Sequence, residues 1–392
     1  MSEPTLCRAP VVIVGGGFGG LYTALALSTI HDHPPILLIE PKERFIFFPL
    51  AYELLSGELQ TWEVAPKYNK LFTGRRIGWL RDTVAMIDIK SKTITTVLGQ
   101  SQKFGQLVIA TGTRLETFNI PGVREYAMTF HSLRDIERLQ QLLKFVREHP
   151  DKNRRIAIVG AGPTGVELAC KLADLAEGAI EIDLIERSNQ LLNSSRAFNR
   201  EQAQIALSKR DVRMRMETKV LKVRSDTIIM SGSDAIEEIL PITKVVWTAG
   251  LSPSLPIISP NPPIDKYGCL ECSEQLQLSQ SESIFVMGDI SSVATSKQFP
   301  LPKTAQVAFQ QAELVCANLI AQRKRLPLEA FHWNDLGEMI SLGIGNASLV
   351  GAGLTLAGPS AFQIRRLAYL TRLPGLSHQL RVATSWMLSE SY

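Results

Sequence analysis

The sequence is poor in the features that mark several large protein classes. Cysteine is scarce: five residues (Cys7, Cys170, Cys269, Cys272, Cys316) are scattered over 392 positions. An odd, scattered set excludes a disulfide scaffold and points to a reducing compartment. Charge of one sign is missing too. Lys+Arg 42 stand against Asp+Glu 38, a net +4 that is too even for a dedicated nucleic-acid binder, so no nucleic-acid partner is expected. The start, Met-Ser-Glu-Pro, carries an acid and no apolar run before Val11, and does not read as a secretory signal. Uninterrupted apolar helix is absent as well. Met339–Ile364 is 26 residues without a charge, but it holds Gly343, Gly345, Gly351, Gly353, Gly358 and Pro359. That density of helix breakers, with Ile340, Leu342 and Ile344 alternating, predicts two short strands joined by a glycine-rich turn. No transmembrane helix is expected.

What is present is a packed globular chain. Hydrophobic residues make up 45%, which excludes disordered and fibrous classes. At roughly 150 residues per domain, the length suggests two or three domains.

The chain repeats itself. Val11-Val-Ile-Val-Gly-Gly-Gly-Phe-Gly-Gly20 returns 145 residues later as Ile156-Ala-Ile-Val-Gly-Ala-Gly-Pro-Thr-Gly165. Each copy is an apolar strand, a Gly-x-Gly-x-x-Gly turn and a helical stretch. Each is followed by a second strand ending in an acid, Glu40 or Glu186, 25 and 26 residues after the first glycine. One such motif is weak evidence; two complete copies are strong. Gly15 and Gly160 permit the tight turn, Gly17 and Gly162 let the backbone approach a pyrophosphate, and Gly20 and Gly165 let helix and strand pack closely. The helix N-terminus faces the phosphates with free N–H groups, beside Phe18 in one copy and Thr164 in the other. The acids suit ribose hydroxyls.

The parallel continues. Asp82–Thr96 and Glu217–Ser231 alternate as small meanders. Leu107-Val-Ile-Ala-Thr-Gly112 and Val245-Val-Trp-Thr-Ala-Gly250 end in small residues that let the chain return close to a dinucleotide. Ala110, Thr111 and Gly112 line the first site; Ala249 and Gly250 line the second. A further strand ends in Gly288-Asp289, whose carboxylate suits a ribityl or ribose hydroxyl. Two such sites mean FAD in the first and a nicotinamide nucleotide in the second. The expected fold is α/β: two Rossmann-like dinucleotide-binding domains, one inserted in the other, plus a C-terminal module. The FAD domain spans 1–118 and 243–330, the NAD(P)H domain 119–242, and the tail 331–392. Thr117–Ser132 reads as a crossing linker.

On Glu40-Pro-Lys-Glu-Arg-Phe-Ile-Phe-Phe-Pro-Leu50, Trp247-Thr-Ala-Gly250, Gly288-Asp289 and above all Thr304-Ala-Gln-Val-Ala-Phe-Gln-Gln311, the chain resembles the type II NAD(P)H:quinone oxidoreductases. Tyr52-Glu-Leu-Leu-Ser-Gly-Glu58 and Trp62-Glu-Val-Ala-Pro66 look most like the cyanobacterial and plastid demethylphylloquinone reductase branch. The resemblance implies a flavoprotein that does not pump protons, carries FAD and oxidises NADH or NADPH. It implies a membrane quinone as acceptor: a phylloquinone precursor, plastoquinone or similar. It places the enzyme peripherally on the cytoplasmic side of a membrane, thylakoid or plasma membrane if cyanobacterial. It also assigns Ala305 and Gln306 beside the flavin, Gln306 and Gln310 to the quinone, and Glu167 to hydride or proton handling.

The residues agree with this without requiring it. Gln306 and Gln310 are i, i+4 and share a helix face, and neutral amides suit a quinone carbonyl, or simply pack a helix. Glu167, near a helix N-terminus, also stabilises that helix by itself. Phe47 and Pro49 are expected to wall the isoalloxazine, and Lys303 to face reduced flavin or solvent. Cys269 and Cys272 have dithiol spacing but fall in the FAD domain, while Cys170 and Cys316 read as core. In the tail, Arg365, Arg366, Arg372 and Arg381 have no acid among them before Glu390, and Leu376, Leu380, Ala383 and Met387 recur on one helix face beside Trp386. This predicts a basic amphipathic helix on an anionic membrane surface, or else a homodimer face or a helix folded onto the body. For nucleotide choice, Glu186 favours NADH, while Arg187 could pair a 2′-phosphate. The alternatives are a soluble disulfide-type reductase and a flavin-binding regulatory protein of the apoptosis-inducing-factor kind.

Overall fold

The computed structural model describes residues 9–149, 154–293 and 301–389; Cys7 and Glu390 lie outside these. Val11–Val14 is apolar on both faces and fully buried, as a central parallel strand must be. It pairs in parallel with Ile36–Ile39 and Gln106–Ile109. Ile77–Leu80 and Ser281–Val286 extend the sheet on either side, and shorter strands complete eight. The second copy repeats this arrangement. Arg155–Val159 lies between Glu181–Ile185 and Lys244–Trp247 in a five-stranded parallel sheet. Each unit carries its expected meander, one of them joined by Ile257–Ser259 into four strands. One apolar core runs through both units.

Three expectations are corrected. Lys244–Trp247 pairs with Arg155–Val159, so the inserted unit does not end at residue 242. An apolar strand buried on both faces belongs to the sheet that supplies its neighbours. The Thr117–Ser132 crossing is shorter than expected, because Met128–Thr129 already pairs with Val246–Trp247 in the inserted sheet. The chain leaves through Thr113–Leu115 and returns through Leu251–Pro253, and these pair as an antiparallel ribbon. Trp247 braces the crossing by donating its indole N–H to Glu116 O and Ala249 O, both at 2.9 Å.

The third correction concerns the tail, which forms three strands, not two: Glu338–Ser341, Ala347–Gly351 and Leu354–Gly358. Ala352 and Gly353 both take positive φ and close a second tight turn that the glycine-rich composition hid. Gly358, at φ +88°, ends the last strand, and Pro359 starts the helix Pro359–Leu370 at its first position. A final helix spans Leu376–Ser389. Among the described residues no helix is long and apolar enough to cross a membrane.

Candidate active site

The duplication extends to individual hydrogen bonds. Glu40 accepts from Gly16 N at 2.8 Å and Lys42 N at 2.9 Å. Glu186 accepts from Ala161 N and Ser188 N, both at 2.8 Å. Each acid is thus aimed across its glycine turn with lone pairs to spare for a ribose. The glycines are required. A Cβ on Gly20 would lie 1.9 Å from Gly15 O, and one on Gly165 would lie 1.8 Å from Gly160 O. Beside Gly17 and Gly162 nothing lies within 4 Å, which leaves the space a pyrophosphate needs.

The first cradle continues through Ala110–Gly112. Thr111 Oγ1 is buried with no partner, an orphan hydroxyl of the kind a bound ligand satisfies. Gly288 turns at φ +74°, and its N–H donates to Gln311 Oε1 at 2.6 Å. This fixes Asp289, which accepts from Thr113 Oγ1 at 3.3 Å; burial raises its pKa. Gln311, fully buried, is a site residue that the sequence marks only as the end of the Thr304–Gln311 motif. These features fit a dinucleotide, and FAD there would supply an electron relay between a nicotinamide and an acceptor.

The helix Ala305–Arg323 starts beside this turn, capped by Thr304. Its two predicted quinone residues are engaged with backbone. Gln306 donates to Gly337 O and accepts from Leu336 N, both at 3.2 Å. Gln310 donates to Asn334 O at 2.8 Å and accepts from Asn334 N at 2.9 Å. Both amides therefore clasp the Asn334–Gly337 segment that leads into the tail sheet. Lys303 lies 3.3 Å from Cys269 Sγ, and its charge bears on Asp289.

Glu167 is buried where the two units and the tail meet. Its Oε1 accepts from Ser341 N at 2.7 Å, and Tyr52 bonds both Glu167 and Thr164. Arg365, 1% exposed, reaches in from the tail helix. It donates to Glu53 Oε1 and Pro49 O, both at 2.5 Å, and lies 3.9 Å from Glu167 Oε1. Its guanidinium also sits over the Tyr369 ring, 4.9 Å from the centroid. Burial pushes the Glu167 carboxyl up to about 7, against the pull of Arg365. A buried acid that titrates in the neutral range can hold and release a proton at working pH.

With this geometry in place, the comparisons with known proteins are decisive. The family model for pyridine nucleotide-disulphide oxidoreductases matches residues 9–312. The chain belongs to this family. Demethylphylloquinone reductase NdbB of Synechocystis is 37% identical over 98% of this chain and 96% of its own length. A chloroplastic/mitochondrial alternative NAD(P)H-ubiquinone oxidoreductase C1 of Arabidopsis thaliana is 33% identical over 98% of this chain and 82% of its own. Within the family the chain therefore belongs with the type II NAD(P)H:quinone oxidoreductases. The solved NDH2 of Plasmodium falciparum in complex with NADH shares the fold at TM-score 0.86 and 18% identity, covering 98% of this chain and 99% of that one. Sulfide:quinone oxidoreductase from Aquifex aeolicus aligns at TM-score 0.76 and 18% identity, covering 92% and 89%.

The disulphide of the family name has no counterpart among the described residues. Cys170, Cys269, Cys272 and Cys316 are all free and buried. Burial pushes Cys170 and Cys272 up to about 12 and Cys316 up to about 11, so none of these three is poised as a thiolate. Cys269 and Cys272 each turn to a separate backbone acceptor: the Cys269 thiol donates to Asp289 O and the Cys272 thiol to Ser292 O, both at 3.6 Å.

Other expectations shift. Phe47 is fully buried against Phe18 and Tyr369, which makes it core and not a wall of an open site. Pro49, expected beside the isoalloxazine, also accepts from Arg365 through its carbonyl. Arg365 itself is a buried ion-pair partner, not a membrane-facing cation, because Glu53 pulls it inward. Trp386 is 6% exposed and stacks under Arg366, so the predicted interfacial aromatic faces the body. On the nucleotide side, Arg187 is exposed while Glu186 is half-buried. Phe118, also overlooked, lays its ring over Gly250, within 2.4 Å of where a Cβ would be.

Proposed function

We propose that this chain is an FAD-dependent NAD(P)H:quinone oxidoreductase whose acceptor is a lipid naphthoquinone of the demethylphylloquinone type. The first cradle, with Gly15, Gly17, Gly20, Glu40 and Asp289, would hold FAD, and the second, with Gly160, Gly162, Gly165 and Glu186, the nicotinamide nucleotide; bound flavin would supply the two-electron relay between nicotinamide and quinone. One observation carries this reading. The relative named for demethylphylloquinone reduction matches along 98% of the chain, tail included, and the tail supplies Arg365 to the site. Glu167 handles the proton, Tyr52 and Thr164 orient it, and Gln306 and Gln310 hold the Asn334–Gly337 segment beside the quinone path. In stopped-flow, flavin reduced by NAD(P)H should be reoxidised by a naphthoquinone lacking the ring methyl at least as fast as steady-state turnover. Reoxidation slower than turnover would overturn the assignment.

The nucleotide is NADH. Glu186 is held by Ala161 N of the glycine turn at Oε2 and by Ser188 N at Oε1, beside a turn where a carboxylate accepts from a 2′-OH and repels a 2′-phosphate. Wild type should favour NADH in kcat/KM, and Glu186→Ala should erode that preference about tenfold. A tenfold wild-type preference for NADPH would show that Arg187 governs instead.

The enzyme works peripherally on an anionic membrane surface. On the last helix Leu376, Leu380, Met387 and Leu388 are 60–68% exposed. Leu367 of the preceding helix is 60% exposed, and Arg372 and Arg381 stand nearby. Inserting one leucine gains up to about 1.5–3 kcal/mol, and each basic residue at the surface adds about 1 kcal/mol. Leu376→Ser with Leu380→Ser, both exposed and free of core packing, should lower partition onto anionic vesicles tenfold or more. Wild type that stays in the supernatant with such vesicles would refute this.

A further inference from the structure

We propose that Glu53 is a positioning residue that sets the proton load of Glu167 by competing with it for Arg365. The inference rests on the proton role given to Glu167 above and assigns a task to a second buried carboxylate. Three charged groups meet in this node: Glu53 (2% exposed), Arg365 (1%) and Glu167 (8%). Arginine stays protonated in proteins. With both acids ionised the node carries one excess negative charge out of water, and binding one proton neutralises it.

Geometry says which acid takes that proton. Arg365 is bonded to Glu53 at 2.5 Å and only approaches Glu167, at 3.9 Å. Glu53 therefore keeps the cation, and the proton falls to Glu167. The other groups facing Glu167 do not reverse this. From the Ala51–Ser56 helix comes Tyr52, from the Pro359–Leu370 helix Tyr369, and from the tail sheet Ser341 N. From its own helix come Thr164, through Tyr52, and Cys170. None of these is a cation. Glu53 Oε2 and Arg365 Nε are buried without partners, so the node has spare hydrogen-bonding capacity with which the guanidinium can turn from one acid to the other.

The arrangement matches the proton balance of the reaction. A hydride carries two electrons and one proton, whereas quinone reduction forms two O–H bonds and needs two protons. Solvent must supply the second. Neutral Glu167 provides it: its O–H bond breaks as a quinone O–H bond forms, and the resulting carboxylate is reprotonated from water. That carboxylate draws Arg365 only as far as Glu53 allows.

The test follows the pH dependence of kcat/KM for a water-soluble naphthoquinone, with the midpoint, not the limiting rate, as readout. Glu53→Gln removes the competing charge and frees Arg365 for Glu167. Both changes favour the Glu167 carboxylate, so the midpoint should fall by about one pH unit or more, and Glu53→Asp should restore it. A Glu53→Gln profile superimposed on wild type, while Glu167→Gln abolishes the titration, would overturn this inference alone. A titration that survives Glu167→Gln would overturn the proton role of Glu167 and this inference with it. Infrared spectroscopy of the FAD-loaded wild type needs no Glu53 variant. At pH 6 it should show one protonated buried carboxyl that is lost in Glu167→Gln; finding none would overturn the proposal.

Discussion

Replacing Arg365 with methionine is expected to destabilise the FAD-loaded protein by about 3–5 kcal/mol, the range seen when one partner of a buried ion pair is removed. Methionine keeps most of the side-chain length and its apolar stem. The cost is therefore electrostatic: Glu53, already short of one hydrogen bond at Oε2, loses its cation, and Pro49 O loses its donor. The damage should not stay local. Arg365 ties the tail helix to the Phe48–Leu50 turn and the Ala51–Ser56 helix of the first unit, and it approaches Glu167 of the second. Adding Glu53→Gln to Arg365→Met should recover a large part of the loss, since the second change removes the unpaired charge the first one strands. Denaturant midpoints of the two singles and the double, at fixed FAD concentration, measure the coupling. A single Arg365→Met variant with an unshifted midpoint would mean that the guanidinium contributes nothing net, and the node would lose its structural role.

The same residue shows where the sequence could be read and where it could not. The nucleotide units were legible because their signals are local. Four apolar residues before a glycine turn, and an acid 25 or 26 residues on, depend only on chain geometry, and the structure places Glu40 and Glu186 in matching bonds. Arg365 was misread because a basic helix looks the same whether its cations face lipid or a buried acid. Only a tertiary contact over 312 positions, with Glu53, decides it. Glu53 itself sat inside a quoted motif, yet nothing local marks it as buried. The boundary at 242 failed for a related reason: strand order is set by pairing, and Lys244–Trp247 was apolar enough to fit either sheet. Gln306 and Gln310 were correctly placed on one face, but the backbone of Asn334–Gly337 that occupies them has no sequence signature.

The assignment of FAD to the first cradle and nicotinamide to the second is open to a paired substitution with large and opposite effects. Gly20→Ala and Gly165→Ala are the same change in the two copies, and each drives a methyl against the carbonyl of its own turn, at 1.9 and 1.8 Å. No rotamer relieves a Cβ, so the turn must move away from its helix, and the backbone N–H groups lose their aim at a pyrophosphate. Gly20→Ala should therefore yield protein without flavin, and so without activity. Gly165→Ala should yield a yellow protein with full FAD content that dithionite still reduces and a naphthoquinone still reoxidises. Its flavin reduction by NADH should be slower by a hundredfold or more at any attainable nucleotide concentration. Absorbance spectra of the purified proteins and stopped-flow of the two half-reactions separate these outcomes. Flavin lost from Gly165→Ala and kept in Gly20→Ala would exchange the two sites. Near-normal NADH reduction in a flavin-loaded Gly165→Ala would place the nucleotide elsewhere, because a turn displaced by a methyl cannot cradle a phosphate where this fold presents one.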